Sequence, residues 1–105
     1  MRMKPIKCRD YVVARDKSSC RKCGRKVSEG HVHHIYGRVR TPRWLNVPND
    51  DPNHPVNLVF LCRQCHFEVH NPKPTGEAHK ELNGWKERMA VKNAKTEGIE
   101  VIEWN

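Results

Sequence analysis

The sequence predicts a small α+β domain stapled by metal. Three observations lead there. Four cysteines fall in two Cys-x-x-Cys pairs, Cys20/Cys23 and Cys62/Cys65. A histidine-rich segment (31–36) and an apolar segment (56–62) are each short enough to be a strand. Helix-length segments follow the second pair. A chain of 105 residues suits one domain, 1–105. With 36% hydrophobic and 30% charged residues it is globular but lean in core, a deficit that a bound metal helps to offset.

Charge and cysteine count narrow the class. Twenty Lys and Arg against twelve Asp and Glu give a net charge of +8. That balance favours a polyanionic partner, nucleic acid first. Of five cysteines, Cys8 is left over from the pairs. An odd count fits a disulfide scaffold poorly, whereas two knuckle-spaced pairs fit a metal site in a reducing compartment. The basic start, Met1 to Lys7, is not followed by an apolar signal region, and no apolar run is long enough to span a membrane. The expectation is a cytoplasmic protein without a membrane partner, with a monomer favoured.

Residues 1–7 read as a basic arm. Residues 8–16 read as a short helix, although Tyr11, Val12 and Val13 suit a strand equally, and Cys8 is expected to pack as a small apolar residue. Residues 18–25 form the first knuckle, with Gly24 free to take a positive φ and turn amides toward the sulfurs. In a strand over 31–36, Val32 and His34 share one face, and His31, His33 and Ile35 the other. Residues 37–55 are loop, broken by Gly37, Pro42, Pro48, Pro52 and Pro55. That loop is long for a small domain and carries Arg38, Arg40, Arg43 and Trp44. Residues 56–62 read as a buried strand, and 63–71 as a helix stopped by Pro72. Residues 77–95 read as a charged helix with Leu82, Trp85 and Met89 on one face. Residues 99–104 suggest a final strand with Ile99, Val101 and Trp104 seeking cover.

The four cysteines ask for a tetrahedral ion. Each Cys-x-x-Cys turn presents two sulfurs, and two turns complete a structural zinc shell. The 38 residues between Cys23 and Cys62 are many for a plain zinc ribbon, so the insert carries something further. A competing reading is covalent c-type haem at Cys62-x-x-Cys65-His66 with Met89 as distal ligand. It leaves Cys20, Cys23 and His70 unexplained and requires export.

The histidines ask for a second ion. His66 and His70 stand four apart, on one helix face at about 5–6 Å between Cβ atoms. Cys65 and His66 leave the helix about 100° apart, so Cys65 can serve the zinc while His66 serves another site. If the 31–36 strand pairs with the 56–62 strand, the following helix lies across both. One of His33 and His34 then reaches the ion, and its neighbour points at what the ion holds. His31, His54 and His79 read as bystanders, with His54 a supporting group near Asn57. Turn formation accounts for Asp50 and Asp51.

The combination of the knuckle, His33-His34-Ile35, Asn57-Leu58 before Cys62, and Cys65-His66 with His70 resembles the HNH endonucleases. The resemblance covers roughly residues 18–71. It implies a ββα-metal core (the HNH or His-Me finger fold) with a four-cysteine zinc scaffold and flanking helices, followed by a C-terminal helix and strand over 77–104. It also implies that His34 is the general base and that Asn57 holds the loop and base in position. His33, His66 and His70 are implied as ligands of a catalytic divalent ion, His70 being a ligand in only part of the family. Many such proteins are small, free-standing and phage-encoded, which would place this one in a host cytoplasm with phage packaging proteins as partners.

The chemistry agrees with that resemblance. Phosphodiester hydrolysis needs an activated water, neutralised phosphate charge and help for the leaving 3′ oxygen. Water activated by His34 would yield 5′-phosphate and 3′-hydroxyl ends on DNA. The family uses Mg2+ or Mn2+, while three imidazoles suit Mn2+, Co2+, Ni2+ or Zn2+ better than Mg2+. Arg38, Arg40 and Arg43 are the expected phosphate contacts. The alternative is a zinc-ribbon module that binds nucleic acid without cutting it.

Overall fold

The computed structural model describes residues 8–39, 41–71 and 75–102. Helix α1 (Cys8–Arg15) leads into the first knuckle. Strand β1 (His31–His34) pairs antiparallel with β2 (Leu58–Leu61), with His33 opposite Val59 and His34 opposite Leu58. Helix α2 (Arg63–His70) follows β2 directly, and α3 (Gly76–Glu97) closes the domain. The two-stranded sheet with helices and a cysteine cluster is the α+β, ββα-metal architecture that the sequence predicts. No helix among the described residues is long and apolar enough to cross a membrane.

All four residues of β2 are buried, which explains its unbroken apolar run. Leu58 and Phe60 pack with Val12 of α1. Val59 and Leu61 turn to the opposite face and join Ile35, Val69, Trp85, Met89 and Ala90 in the main core. The period of two along β2 thus divides the sheet between two hydrophobic clusters. Met89 is a core residue and Cys62 and Cys65 lie beside Cys20 and Cys23, an arrangement that supersedes the haem reading.

A buried polar network ties the layers together behind β2. Asp16 Oδ1 accepts from Arg15 Nε at 2.9 Å and from Arg21 Nη1 at 2.7 Å, while its Oδ2 accepts from the Phe60 amide at 2.9 Å. Arg15 also donates to the carbonyls of Pro55 and Leu58 and to Glu97 of α3. Asn93 of α3 donates to the Val56 and Leu58 carbonyls and accepts from Arg21. Arg21, although it stands between the cysteines of the first knuckle, is committed to this network.

Several boundaries differ from the sequence reading. Strand β1 stops at His34: the Ile35 amide adds one more bond in register, to the Asn57 carbonyl, and the chain then turns at Gly37, φ +91°. Val56 and Asn57 belong to a 3-10 turn (Pro55–Asn57), so β2 starts at Leu58. Helix α3 runs Gly76–Glu97 with a cap at each end: Thr75 Oγ1 accepts from the Ala78 amide, and Gly98 takes the left-handed conformation at φ +70°. The expected final strand is, among the described residues, a single bridge between Leu45 and Val101, because its partner is a loop and not a strand. The basic arm, Arg40 and Trp104 lie outside the described residues, and Cys8 is described only in its backbone. The 37–55 loop packs inward through Thr41, Leu45 and Val47. Trp44 stacks edge-on to Tyr36 at 6.0 Å and packs against the core.

Candidate metal centres and active site

Sequence order dictates how the cysteines meet. In the first knuckle the Cys23 amide donates to Cys20 Sγ at 3.5 Å, and Gly24, φ +80°, donates to the Cys20 carbonyl. In the second, Cys62 caps α2 and its Sγ accepts from the Cys65 amide at 3.4 Å. The Arg21 amide donates to the Phe60 carbonyl, docking the first knuckle on β2 just ahead of the second. The four sulfurs consequently lie within 4.8 Å of one another.

This set fits a structural ion. Cys23 Sγ and Cys62 Sγ are 3.9 Å apart, far beyond a disulfide and close to the ~3.8 Å edge of a tetrahedron with ~2.3 Å metal–sulfur bonds. The amide of Cys65 holds the Cys62 thiol down to about 6 against the opposing effect of burial. Burial and the neighbouring thiols push Cys65 up. Four crowded sulfurs cannot all ionise without a cation among them, and zinc satisfies that demand.

The second cluster grows from β1 and α2. His33 projects from the buried face of β1 toward α2, where His66 and His70 stand one turn apart. One nitrogen from each ring lies within 4.8 Å of the others, and the Nε2 atoms of His66 and His70 are 2.9 Å apart. His33 Nε2 is buried without a hydrogen-bond partner. Burial, reinforced by His70, His66 and Lys86, lowers the His33 pKa to about 3, and burial with His70 and His31 lowers that of His66. Three imidazoles whose ring nitrogens converge, one of them orphaned, form a donor set for a divalent ion. Helix α2 extends through His70, so that residue reaches the cluster.

His34 points away from this trio, as the strand period requires. Its Nε2 lies 2.9 Å from Asn53 Oδ1. Buried Asn57 donates from Nδ2 to the Gly37 and Pro52 carbonyls and accepts the Tyr36 amide at Oδ1. It thereby pins both the turn after His34 and the loop that carries Asn53. A cavity of about 130 Å³ is lined by His33, His34, Arg38, His66 and His70. A larger hollow of about 650 Å³ lies between the first knuckle and α3, with no converging ligand set.

Some expectations are redistributed. Arg38 joins the histidine cavity, but Arg43 lines a separate hollow with Tyr36, Thr41 and Pro42. His31, read as a bystander, stacks on His66 with ring centroids 4.9 Å apart. The shared strand face of His31 and His33 was the signal for it. His54 supports the 3-10 turn through Nδ1, which accepts from the Val56 amide, and does not touch the metal cluster. Asn53 was missed because an Asn among Asp and Pro reads as a turn former.

The HNH endonuclease family model matches residues 20–72. That stretch takes in both cysteine pairs, the whole sheet, the three clustered histidines, His34 and Asn57. Comparisons with curated proteins and with solved structures give no match. A match over half the chain, on the same residues that build the two centres, shows that the chain belongs to the HNH endonuclease family.

Proposed function

We propose that this single domain is a metal-dependent DNA endonuclease in which His34 activates the attacking water. The observation that carries the reading is the pairing of functions across adjacent strand residues. His33 turns inward to His66 and His70, while His34 turns out to Asn53 beside the same cavity.

Asn53 Oδ1 is an acceptor only, so His34 Nε2 carries the proton and Nδ1 is left as the base. Nδ1 removes a proton from water as the oxygen attacks phosphorus. The bond from phosphorus to the 3′ oxygen then breaks and that oxygen takes a proton from solvent water, leaving 5′-phosphate and 3′-hydroxyl ends. Asn57 keeps the base and its partner loop at a constant distance through its three hydrogen bonds. Arg38, exposed at the cavity, is placed to contact a phosphate oxygen. His33, His66 and His70 would hold the catalytic ion, with Mn2+ or Mg2+ as first candidates and Co2+, Ni2+ or Zn2+ compatible with the imidazoles. When bound, that ion supplies charge neutralisation on the phosphate and on the departing 3′ oxygen. Cys20, Cys23, Cys62 and Cys65 would hold a structural Zn2+.

The test is plasmid cleavage by the wild-type protein with each ion in turn, against His34→Ala. Cleavage by the wild type, with His34→Ala inactive but retaining zinc, is expected. A wild type that binds DNA and cuts it with none of these ions would replace the nuclease reading with a binding module.

A further inference from the structure

Helix α3 lies beyond the stretch matched to the HNH family, yet it walls the groove beside the histidines. We propose that His79, Asn83 and Lys86 form a phosphate-contacting rail for the DNA strand that flanks the scissile bond. The proposal rests on the nuclease reading above.

The geometry has two parts. The small histidine cavity and a groove of about 500 Å³ share His33, His34, Gly37 and His70, so they form one continuous depression. The larger part opens onto α3 at His79, Leu82, Asn83 and Lys86. These positions follow the i, i+3, i+4, i+7 spacing of a single helix face. Half-buried Leu82 packs against the core, and the polar members stand around it.

The chemistry of the lining matches a polyanion. Its α3 side offers one ammonium, one imidazole and one amide, its β1 and α2 side adds His33, His34 and His70, and no carboxylate lines it. Helix α3 contains Glu77, Glu81, Glu87 and Glu97, yet none of them lines the groove. Glu87 sits near Tyr36, whose pKa burial and that carboxylate raise to about 12. Lys80, Lys92 and Lys95 are exposed, whereas Lys86 is half-buried and has no ion-pair partner among the described residues. Lys86 lines the same groove as His33, His34 and His70. A partly desolvated cation without an anion is unfavourable until one arrives. Arg38 at the small cavity and Lys86 on α3 then bracket a strand laid through the depression.

The experiment measures binding of a short labelled DNA duplex across salt concentrations, with Lys86→Ala, Asn83→Asp and, as a charge-matched control, Lys92→Ala. Loss of one phosphate contact lowers the salt slope by about 0.9 and weakens binding about fivefold near 0.15 M salt. Lys86→Ala is expected to show both changes and to raise KM for DNA, with zinc content and melting temperature as in the wild type. Asn83→Asp, which puts a carboxylate in the groove, is expected to weaken binding likewise. Lys92→Ala is expected to stay near the wild type. Equal losses in Lys86→Ala and Lys92→Ala would reduce the effect to net charge and overturn the rail. A wild-type slope in Lys86→Ala, while the wild type still cuts DNA, would overturn the rail and leave the nuclease reading standing. A wild type that neither binds nor cuts DNA would overturn both.

Discussion

Asn53 Oδ1 accepts from His34 Nε2 at 2.9 Å, and Asn53 is itself held by Asp51, whose carboxylate accepts the Asn53 amide at 2.9 Å. A loop residue thus sets the tautomer of a strand residue nineteen positions earlier. Removing the acceptor frees the ring to rotate and to place its proton on either nitrogen. Asn53→Ala is expected to lower kcat by about tenfold or more while both metal contents hold. Asn53→Asp keeps an acceptor and is expected to recover most of the rate. Equal rates in Asn53→Ala and wild type would show that another group orients His34.

The two candidate metal centres differ in enclosure, and this predicts unequal lability. Three of the four cysteines are buried, whereas His70 is exposed and His66 half-exposed. A mild chelator is expected to strip the histidine centre first, abolishing cleavage with the circular dichroism spectrum intact. Structural zinc contributes about 10–16 kcal/mol in small domains, as much as the about 5–15 kcal/mol of net stability available. Loss of the cysteine ion, or Cys65→Ser, should therefore unfold the protein. Metal analysis alongside the spectrum checks both steps, and simultaneous loss of the two ions would contradict the separation.

How much was legible follows from how local each signal is. The cysteine pairs, the His66/His70 spacing and the apolar run of β2 are short-range patterns, and each corresponds to an observed cluster or strand. Asp16 was silent because an aspartate at the last position of an expected short helix carries no local sign of burial. Only the fold brings Arg21, Phe60 and, through Arg21, Asn93 to it. The 37–55 loop has no periodicity to reveal that Leu45 and Val47 are core. For the same reason Val101 offered β-propensity but no hint that it would meet Leu45 in one bridge.

Asp16 makes a stability prediction. Its side chain is 1% exposed and receives two arginines and a β2 amide. Asp16→Ala would leave Arg15, 8% exposed in its side chain, short of its partner and the Phe60 amide unpaired. Breaking one side of a buried ion pair costs about 3–5 kcal/mol. Chemical denaturation should show a loss of that order, with zinc still bound in the folded fraction. A change below about 1 kcal/mol, the size of a surface pair, would mean the network contributes little.

Gly30 makes a prediction that joins stability to the site. It precedes β1, and a Cβ built there would lie 2.5 Å from Phe60 Cζ and 2.6 Å from the Leu61 carbonyl oxygen. Phe60 is buried between β2 and α1 and cannot swing aside cheaply, and the carbonyl belongs to the strand itself. Gly30→Ala must therefore push β1 off β2, at about 1–3 kcal/mol. Because β1 carries His31, His33 and His34, the displacement also moves His33 away from His66 and His70 and shifts His34. Gly76→Ala is the control: nothing lies within 4 Å of its Cβ, at the start of α3. There the substitution only reduces unfolded-state freedom and should stabilise by about 0.4–1 kcal/mol. Opposite signs in the two melting temperatures are expected, with divalent-ion binding weakened in Gly30→Ala alone. Equal melting temperatures would show that β1 accommodates the methyl group without moving.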